Sequence, residues 1–330
     1  MEDSVSMRVN RHRAGERGRG REARQPHHIP LRGWRDILLR VWDEVSEDRV
    51  STVAAGTTFF ILLSLFPALA ALVSLYGLVA DPATISAHLS RLYGYVPAAL
   101  LDMIGDELQR LVDKRTGTLS FGFVSGLMLA LWSANSGVRA VFDALNVAYG
   151  ETEKRGFFDL LLISFGFTVG ALVFFIALVN IVFLIPLLLK FLSLGPIGDL
   201  LMLVLPALIM FSVAILGLAV LYRYGPSRAV PKWRWITPGS LASGIMWLIG
   251  SVGFSWYLAN WGNYSATYGS LGAVIGVMMW IYLSLFVVLV GAELNAEIEH
   301  QTAIDTTTGP EQPMGSRGAT MADSVGEART

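Results

Sequence analysis

Six apolar segments, near 52–80, 119–145, 158–189, 199–222, 236–259 and 269–293, are each long enough to cross a lipid bilayer. A hydrocarbon core about 30 Å thick takes about 20 apolar residues per helix, and without water every backbone N–H and C=O must bond within the segment. The chain therefore reads as an all-α integral membrane protein with six transmembrane helices. Of its 330 residues, 53% are hydrophobic and 15% charged, against about 25% charged in soluble domains. Several segments exceed the minimum, so tilt is expected, with Pro67 and Pro186 as kink points.

Charge sets the topology. Eleven arginines fall in the first 49 residues, whereas residues 293–330 hold seven acids and two bases. With the N-terminus in the cytoplasm, seventeen bases lie inside and five outside, so both termini are expected there. Residues 1–30 read as a disordered basic tail without a signal peptide's apolar core, 50–300 as the membrane domain, and 301–330 as a second disordered tail.

Between tail and first span, residues 31–49 form an amphipathic helix. Trp34, Ile37, Leu38, Val41, Trp42 and Val45 follow helical spacing, with Arg35, Asp36, Arg40, Asp43 and Glu44 on other faces. Such a helix lies in the membrane interface or packs on the protein's own cytoplasmic face. Leu101, Ile104, Leu108 and Leu111 predict two short helices that cap or gate the outer mouth.

Residue types exclude much chemistry. There is no cysteine, and His12, His27, His28, His88 and His300 all lie outside the apolar runs. Disulfides, thiolate nucleophiles, Cys-bound zinc and a buried metal site are therefore not expected, and the HExxH, GxxxxGK[ST] and GxSxG signatures are absent. No cofactor and no catalytic residue is assigned. The Arg-rich tail reads as a topology signal that contacts anionic lipid, so membrane lipids are expected as partners and nucleic acid is not.

Polar residues in an apolar helix are the candidates for binding. Asn135, Ser136, Arg139, Asp143, Asn146 and Tyr149 cluster at the end of the second span, with Ser136, Arg139, Asp143 and Asn146 on one face. Arg139 and Asp143 stand at ion-pair spacing. This stripe is either a lining that grips an anionic or polyhydroxylated substrate, or an interfacial end where Arg139 snorkels. Glu293 and Asn295 close the sixth span; Glu293 either meets Arg139, binds a coupling cation or proton, or marks the interface. Trp261, Tyr264 and Tyr268 form an aromatic belt or an outer binding platform. Gly122/Gly126, Gly166/Gly170 and Gly272/Gly276 match GxxxG and predict close helix packing.

These residues carry a family resemblance. Ala54-Ala55-Gly56-Thr57-Thr58-Phe59-Phe60 through Ser64-Leu65-Phe66-Pro67, then Asn146-Val-Ala-Tyr149, Leu221-Tyr222-Arg223-Tyr224-Gly225-Pro226, Tyr268-Gly269-Ser270-Leu-Gly272 and Gly291-Ala292-Glu293-Leu-Asn295, resemble the YihY/BrkB family over roughly residues 30–300. The resemblance implies an inner-membrane protein with six helices and cytoplasmic termini. The labels in that family are virulence factor BrkB, linked to serum resistance, and ribonuclease BN, with a suspected role in moving envelope lipids or small solutes. The family's recurrent positions map to Phe60, Pro67, Asn146, Tyr149, Tyr222, Gly225, Tyr268, Gly269, Gly272, Glu293 and Asn295. The leading expectation is a transporter-like protein that engages a lipid headgroup or solute in a polar cavity through Arg139, Asn146 and Glu293. The alternatives are a non-transporting scaffold for envelope machinery, recruiting through the Trp34–Val45 helix and the tails, and a membrane-bound ribonuclease.

Overall fold

The computed structural model describes residues 9–76, 90, 101–102, 105–106, 121–191, 195–260 and 271–329. Most of the loop carrying the two expected mouth helices, and all of Trp261, Tyr264 and Tyr268, lie outside these residues.

After a 3-10 turn at Pro26–His28 come α1 (Leu31–Glu47), α2 (Val50–Tyr76), α3 (Phe121–Ala148), α4 (Phe157–Phe191), α5 (Gly195–Tyr224), α6 (Trp233–Asn260), α7 (Leu271–His300) and the short α8 (Thr320–Asp323). Among the described residues there is no strand, only an isolated bridge between Pro231 and Thr307. Among the described residues, five helices are long and apolar enough to cross a membrane: α2, α4, α5, α6 and α7. The second expected span, α3, is a continuous helix of 28 residues but is not in that set. Pro67 sits inside an unbroken α2.

The long helices close into a ring: α2 packs on α3, α3 on α4, α4 on α5, α5 on α6, α6 on α7, and α7 back on α2 while also reaching α3. Burial of Val50, Ala54, Leu145, Tyr149, Tyr222, Leu289, Ala292 and Ala296 builds the main core where α2, α3 and α7 meet.

Helix approach corrects the GxxxG expectation. A Cβ added at Gly126, Gly166, Gly170 or Gly276 meets nothing within 4 Å. The close crossing is between α6 and α7, where a Cβ on Gly291 would fall on Ser243 Oγ and the Gly239 carbonyl, and one on Gly239 would fall on the Gly291 carbonyl. These two glycines belong to different helices, so a spacing rule within one helix does not find them.

The tails are corrected too. Residues 9–30 and 301–329, expected to be disordered, fold together at one end of the bundle. Ala303 N donates to Arg21 O at 2.8 Å, Gln301 Nε2 to Arg19 O at 2.8 Å, and Thr302 Oγ1 to Ala23 O at 2.7 Å. Further along, Lys232 N donates to Thr306 O at 2.9 Å and Thr320 N to Glu151 Oε1 at 2.7 Å. Low hydrophobicity predicts disorder because such a chain buries little apolar surface. Here hydrogen bonds to loops and to Arg21, itself buried, substitute for that burial.

Helix α1 divides its apolar residues. Ile37 and Val41 are buried against Ala23, Ile29, Trp235 and Ile298, whereas Leu38 and Trp42 point outward, Trp42 at 76% exposure.

Candidate functional site

The end of the bundle that gathers both tails is also where α7 carries four acids and amides inside the fold. Glu293, Asn295, Glu297 and Glu299 are all 0–1% exposed. Helical spacing sends Glu293 and Glu297 toward α1 and the start of α2, and Asn295 and Glu299 toward Tyr149 and the α5–α6 loop.

Three of the four have partners. Glu297 pairs with Arg40 and lies 3.2 Å from His300 Nδ1. Arg40 extends the network, with NH2 donating to Gln301 Oε1 at 2.7 Å and NH1 to Glu327 O at 2.8 Å. Glu299 accepts from Arg228 NH2 at 2.7 Å and from Thr306 Oγ1 at 2.9 Å. The Arg228 guanidinium lies 4.0 Å above the Tyr149 ring. Asn295 Oδ1 accepts from Gly239 N at 2.8 Å, tying α7 to α6 at their close crossing.

What remains open is a set of buried polar atoms with no hydrogen-bond partner: Tyr149 Oη, Asn295 Nδ2, Glu293 Oε1, and Nε and NH1 of Arg228. Tyr149 is the common neighbour, set among Arg228, Glu299, Asn295 and Glu293; burial pushes its phenol above the usual range while Arg228 opposes. Buried polar atoms are nearly always bonded, to protein, water or ligand. Among the described residues, no group of three or more His, Asp or Glu is placed to hold a metal ion.

Glu293 does not meet Arg139. Its charged neighbours are the acids Asp48, Glu44 and Glu297. Asp48 ends α1 and Glu44 precedes it by one turn. Burial, then Glu297 and Asp48, raise the Glu44 carboxyl from its ordinary 4.5 to about 7. The folded protein thus binds a proton there that the unfolded chain has already released. Stability is expected to fall as pH rises between about 4.5 and 7, because the native state binds more protons over that window. Thermal unfolding in detergent across this range checks it, and Glu44→Gln should flatten the decline. Glu153, held at about 2 chiefly by its hydrogen bond from Arg155, acts the opposite way; its contribution is present above its ordinary value and lost only in strong acid.

The α3 stripe divides between two environments. Ser136 and Asp143 are exposed and Arg139 is half-buried; Ser136 bonds its own helix at Ser133 O, and Arg139 lies 5.8 Å over Phe157. Ser136 and Asp143 look outward, whereas Arg139 turns in far enough to bury NH2 without a hydrogen-bond partner. Asn135 and Asn146 face inward. Asn135 lies 3.1 Å from Thr168 Oγ1 and, with its amide turned, accepts from Arg139 Nε at 3.3 Å. Asn146 Oδ1 accepts from Ser227 N at 2.7 Å and so fastens the α5–α6 loop to α3. Tyr222, another recurrent position, is buried with its hydroxyl donating to Val288 O at 2.7 Å.

The comparisons with known proteins agree with this architecture. The model of the family described as Virulence factor BrkB matches residues 41–315. The chain belongs to this family. Among relatives, it is similar to YfkH of Bacillus subtilis, which carries a ribonuclease-like name, with 32% identity over 248 residues covering 74% of this chain and 88% of the relative. It is also similar to a UPF0761 membrane protein of Cronobacter sakazakii, with 26% identity over 276 residues covering 82% of this chain and 89% of the relative. No solved structure matches. The chain is thus a multi-pass membrane protein of the BrkB family, and the family match spans the whole cluster around Tyr149, Glu293 and Asn295.

Of the residues singled out in the sequence, Tyr149, Glu293 and Asn295 lie in this cluster, while its other members, Arg228, Arg40, Glu44, Asp48 and Glu299, were not among the candidates. One signal was present: an apolar run ending in Glu293, Glu297 and Glu299 needs buried cations or protons from elsewhere in the chain.

Proposed function

We propose that this BrkB-family member is a transporter-like protein that binds an envelope lipid or small solute at the terminal end of its bundle, without enzymatic activity and without nucleic acid as a partner. The observation that carries this reading is the group of unbonded, fully buried polar atoms on Tyr149, Asn295, Glu293 and Arg228 inside an apolar helix ring. Intramembrane polar groups are costly and mark substrate or ion pathways.

A six-span topology in the inner membrane, with both termini cytoplasmic, belongs to the same proposal. The hydrogen bonds between residues 9–30 and 301–329 hold both termini on one side. Five crossings would leave them on opposite sides. Taking α3 as the sixth restores the parity, and its 28 residues span about 42 Å at 1.5 Å per residue.

The test is untargeted mass spectrometry of lipids and small molecules retained by purified protein. Tyr149→Phe deletes a buried hydroxyl that makes no well-formed hydrogen bond and faces only the Asn295 amide, so its melting temperature should stay close to wild type. It should nonetheless lose a species that wild type retains, whereas Ser136→Ala, at an exposed position on α3, should keep it. If all three proteins retain the same bulk lipids, the site assignment fails. A scaffold role, the second reading, is favoured by the outward Leu31, Leu38 and Trp42 of α1, the first at 88% exposure.

A further inference from the structure

We infer that the last turn of α5 and the start of α6 form a binding site for the phosphate of an anionic phospholipid, with Arg223 as the group that bonds it. The site is separate from the cluster around Tyr149 and does not rest on the function proposed above.

Arg223 is a buried cation whose donors go unused. It is 8% exposed, yet its Nε and NH1 have no hydrogen-bond partner, and among the described residues no carboxylate pairs with it. By contrast Arg21, Arg40 and Arg228, also buried, each pair with a carboxylate. A place in the last turn of α5 favours a cation, but it leaves those two N–H groups unbonded. Buried donors are nearly always bonded, and a guanidinium bonds most strongly to carboxylate or phosphate.

An arginine at the end of a span usually extends to water. Arg223 lies against the start of α6: its guanidinium carbon is 4.4 Å from the centroid of the Trp233 ring and 5.3 Å from that of Tyr224. The two rings meet edge-on at 6.4 Å. Stacking of this kind fixes a guanidinium plane and leaves its edge free for hydrogen bonds. Trp233 is the first residue of α6, so the unbonded donors are held beside a helix N-terminus.

That N-terminus lacks a counter-charge from the protein. The first turn of a helix has N–H groups without intrahelical acceptors and carries partial positive charge, which acids normally offset. Helix α6 has no acid in its first turn; Lys232 and Arg234 flank Trp233 there. Lys232 Nζ donates to Asp305 O at 2.9 Å. Arg155, from the α3–α4 loop, donates to Tyr224 O and Gly225 O and pairs with Glu153. Arg223 and the exposed Arg234 are the charges left for an anion. The anion is a lipid headgroup because the site tops an apolar outer surface. Arg234 shares a helical face with Leu241, Ile245 and Leu248 of α6, and Arg223 shares one with Leu216 of α5; all four apolar side chains are exposed. Such a stripe, capped by bases and by the partly exposed Trp233 and Tyr224 rings, takes acyl chains along it and a phosphate at its end.

Native mass spectrometry of the full chain in neutral detergent, offered equimolar dioleoylphosphatidylglycerol and dioleoylphosphatidylcholine, tests this. Wild type should retain phosphatidylglycerol in preference, and Arg223→Gln should lower that preference by about tenfold, the loss expected for a hydrogen bond to a charged group. Arg35→Gln, which removes an exposed charge of the same sign from α1, should leave it unchanged. So should Tyr149→Phe, which lets this site and the Tyr149 site fail separately. Equal retention of both lipids by wild type, or no loss in Arg223→Gln, overturns the proposal. Equal losses in Arg223→Gln and Arg35→Gln also overturn it, because net charge then accounts for the preference. Displacement of phosphatidylglycerol by millimolar inorganic phosphate does the same, since the site then takes a free anion. Should Arg223→Gln fail to fold, amide exchange of wild type decides. The first N–H groups of α6 should exchange more slowly in phosphatidylglycerol vesicles than in phosphatidylcholine vesicles, and equal rates overturn the proposal.

Discussion

Arg40→Ala is expected to lower stability by about 3–5 kcal/mol, the usual consequence of removing one partner from a buried ion pair. Glu297 is completely buried, and Arg40 itself is 3% exposed. The substitution strands the carboxylate and also cuts the hydrogen bonds to Gln301 and Glu327 that hold the C-terminal segment in place. Thermal unfolding of detergent-purified protein measures the loss. Replacing both partners, as Arg40→Met with Glu297→Leu, should recover much of it, because the stranded charge rather than the missing attraction dominates. Equal destabilisation in the single and double variants would show that the lost hydrogen bonds dominate instead. The C-terminal segment should also become accessible to protease in Arg40→Ala first, since its anchors are the ones removed.

Gly291→Val is expected to be comparably severe. Overpacking a filled site usually costs about 1–3 kcal/mol, and this position sits at the upper end because the new methyls would meet the Gly239 carbonyl, Ser243 Oγ and Tyr222 Oη. None of these can retreat easily: Ser243 and Tyr222 are hydrogen-bonded to each other at 2.8 Å, and the carbonyl belongs to the backbone of α6. The comparison that sharpens the test is Gly126→Ala. A Cβ there meets open space, and alanine is favoured over glycine in a helix by about 0.5–1 kcal/mol. Gly126→Ala should therefore raise the melting temperature slightly. A loss of stability at Gly126 would restore the GxxxG packing that the α3 geometry rejects.

The membrane class and the places of the long helices were legible in the sequence, because hydropathy is a property of a segment alone. Lipid requires the backbone to be satisfied within each helix, so length and apolarity suffice to place it. The expected span at 236–259 and the observed Trp233–Asn260 differ by three residues at most. The sixth segment, expected to end at 293, continues as helix to His300, since its terminal acids are neutralised by tertiary partners that hydropathy does not count. Tyr149, Glu293 and Asn295 were also visible, as polar residues in or beside apolar runs.

Which polar residues meet was decided by the tertiary structure. Periodicity places Ser136, Arg139 and Asp143 on one face, but it does not say which of them the bundle covers; packing of α3 left Ser136 and Asp143 exposed and buried part of the Arg139 guanidinium. Arg228 and Arg40 lie 71 and 257 residues from the acids they neutralise, separations at which a single sequence carries no pairing signal. The tails were misjudged for the same reason. Their order comes from backbone and side-chain hydrogen bonds to distant loops, which composition does not register. The sequence by itself determined that long apolar segments seek the bilayer; only the assembled bundle determined that Tyr149, Arg228 and Glu299 meet, because each reaches the site from a different part of the chain.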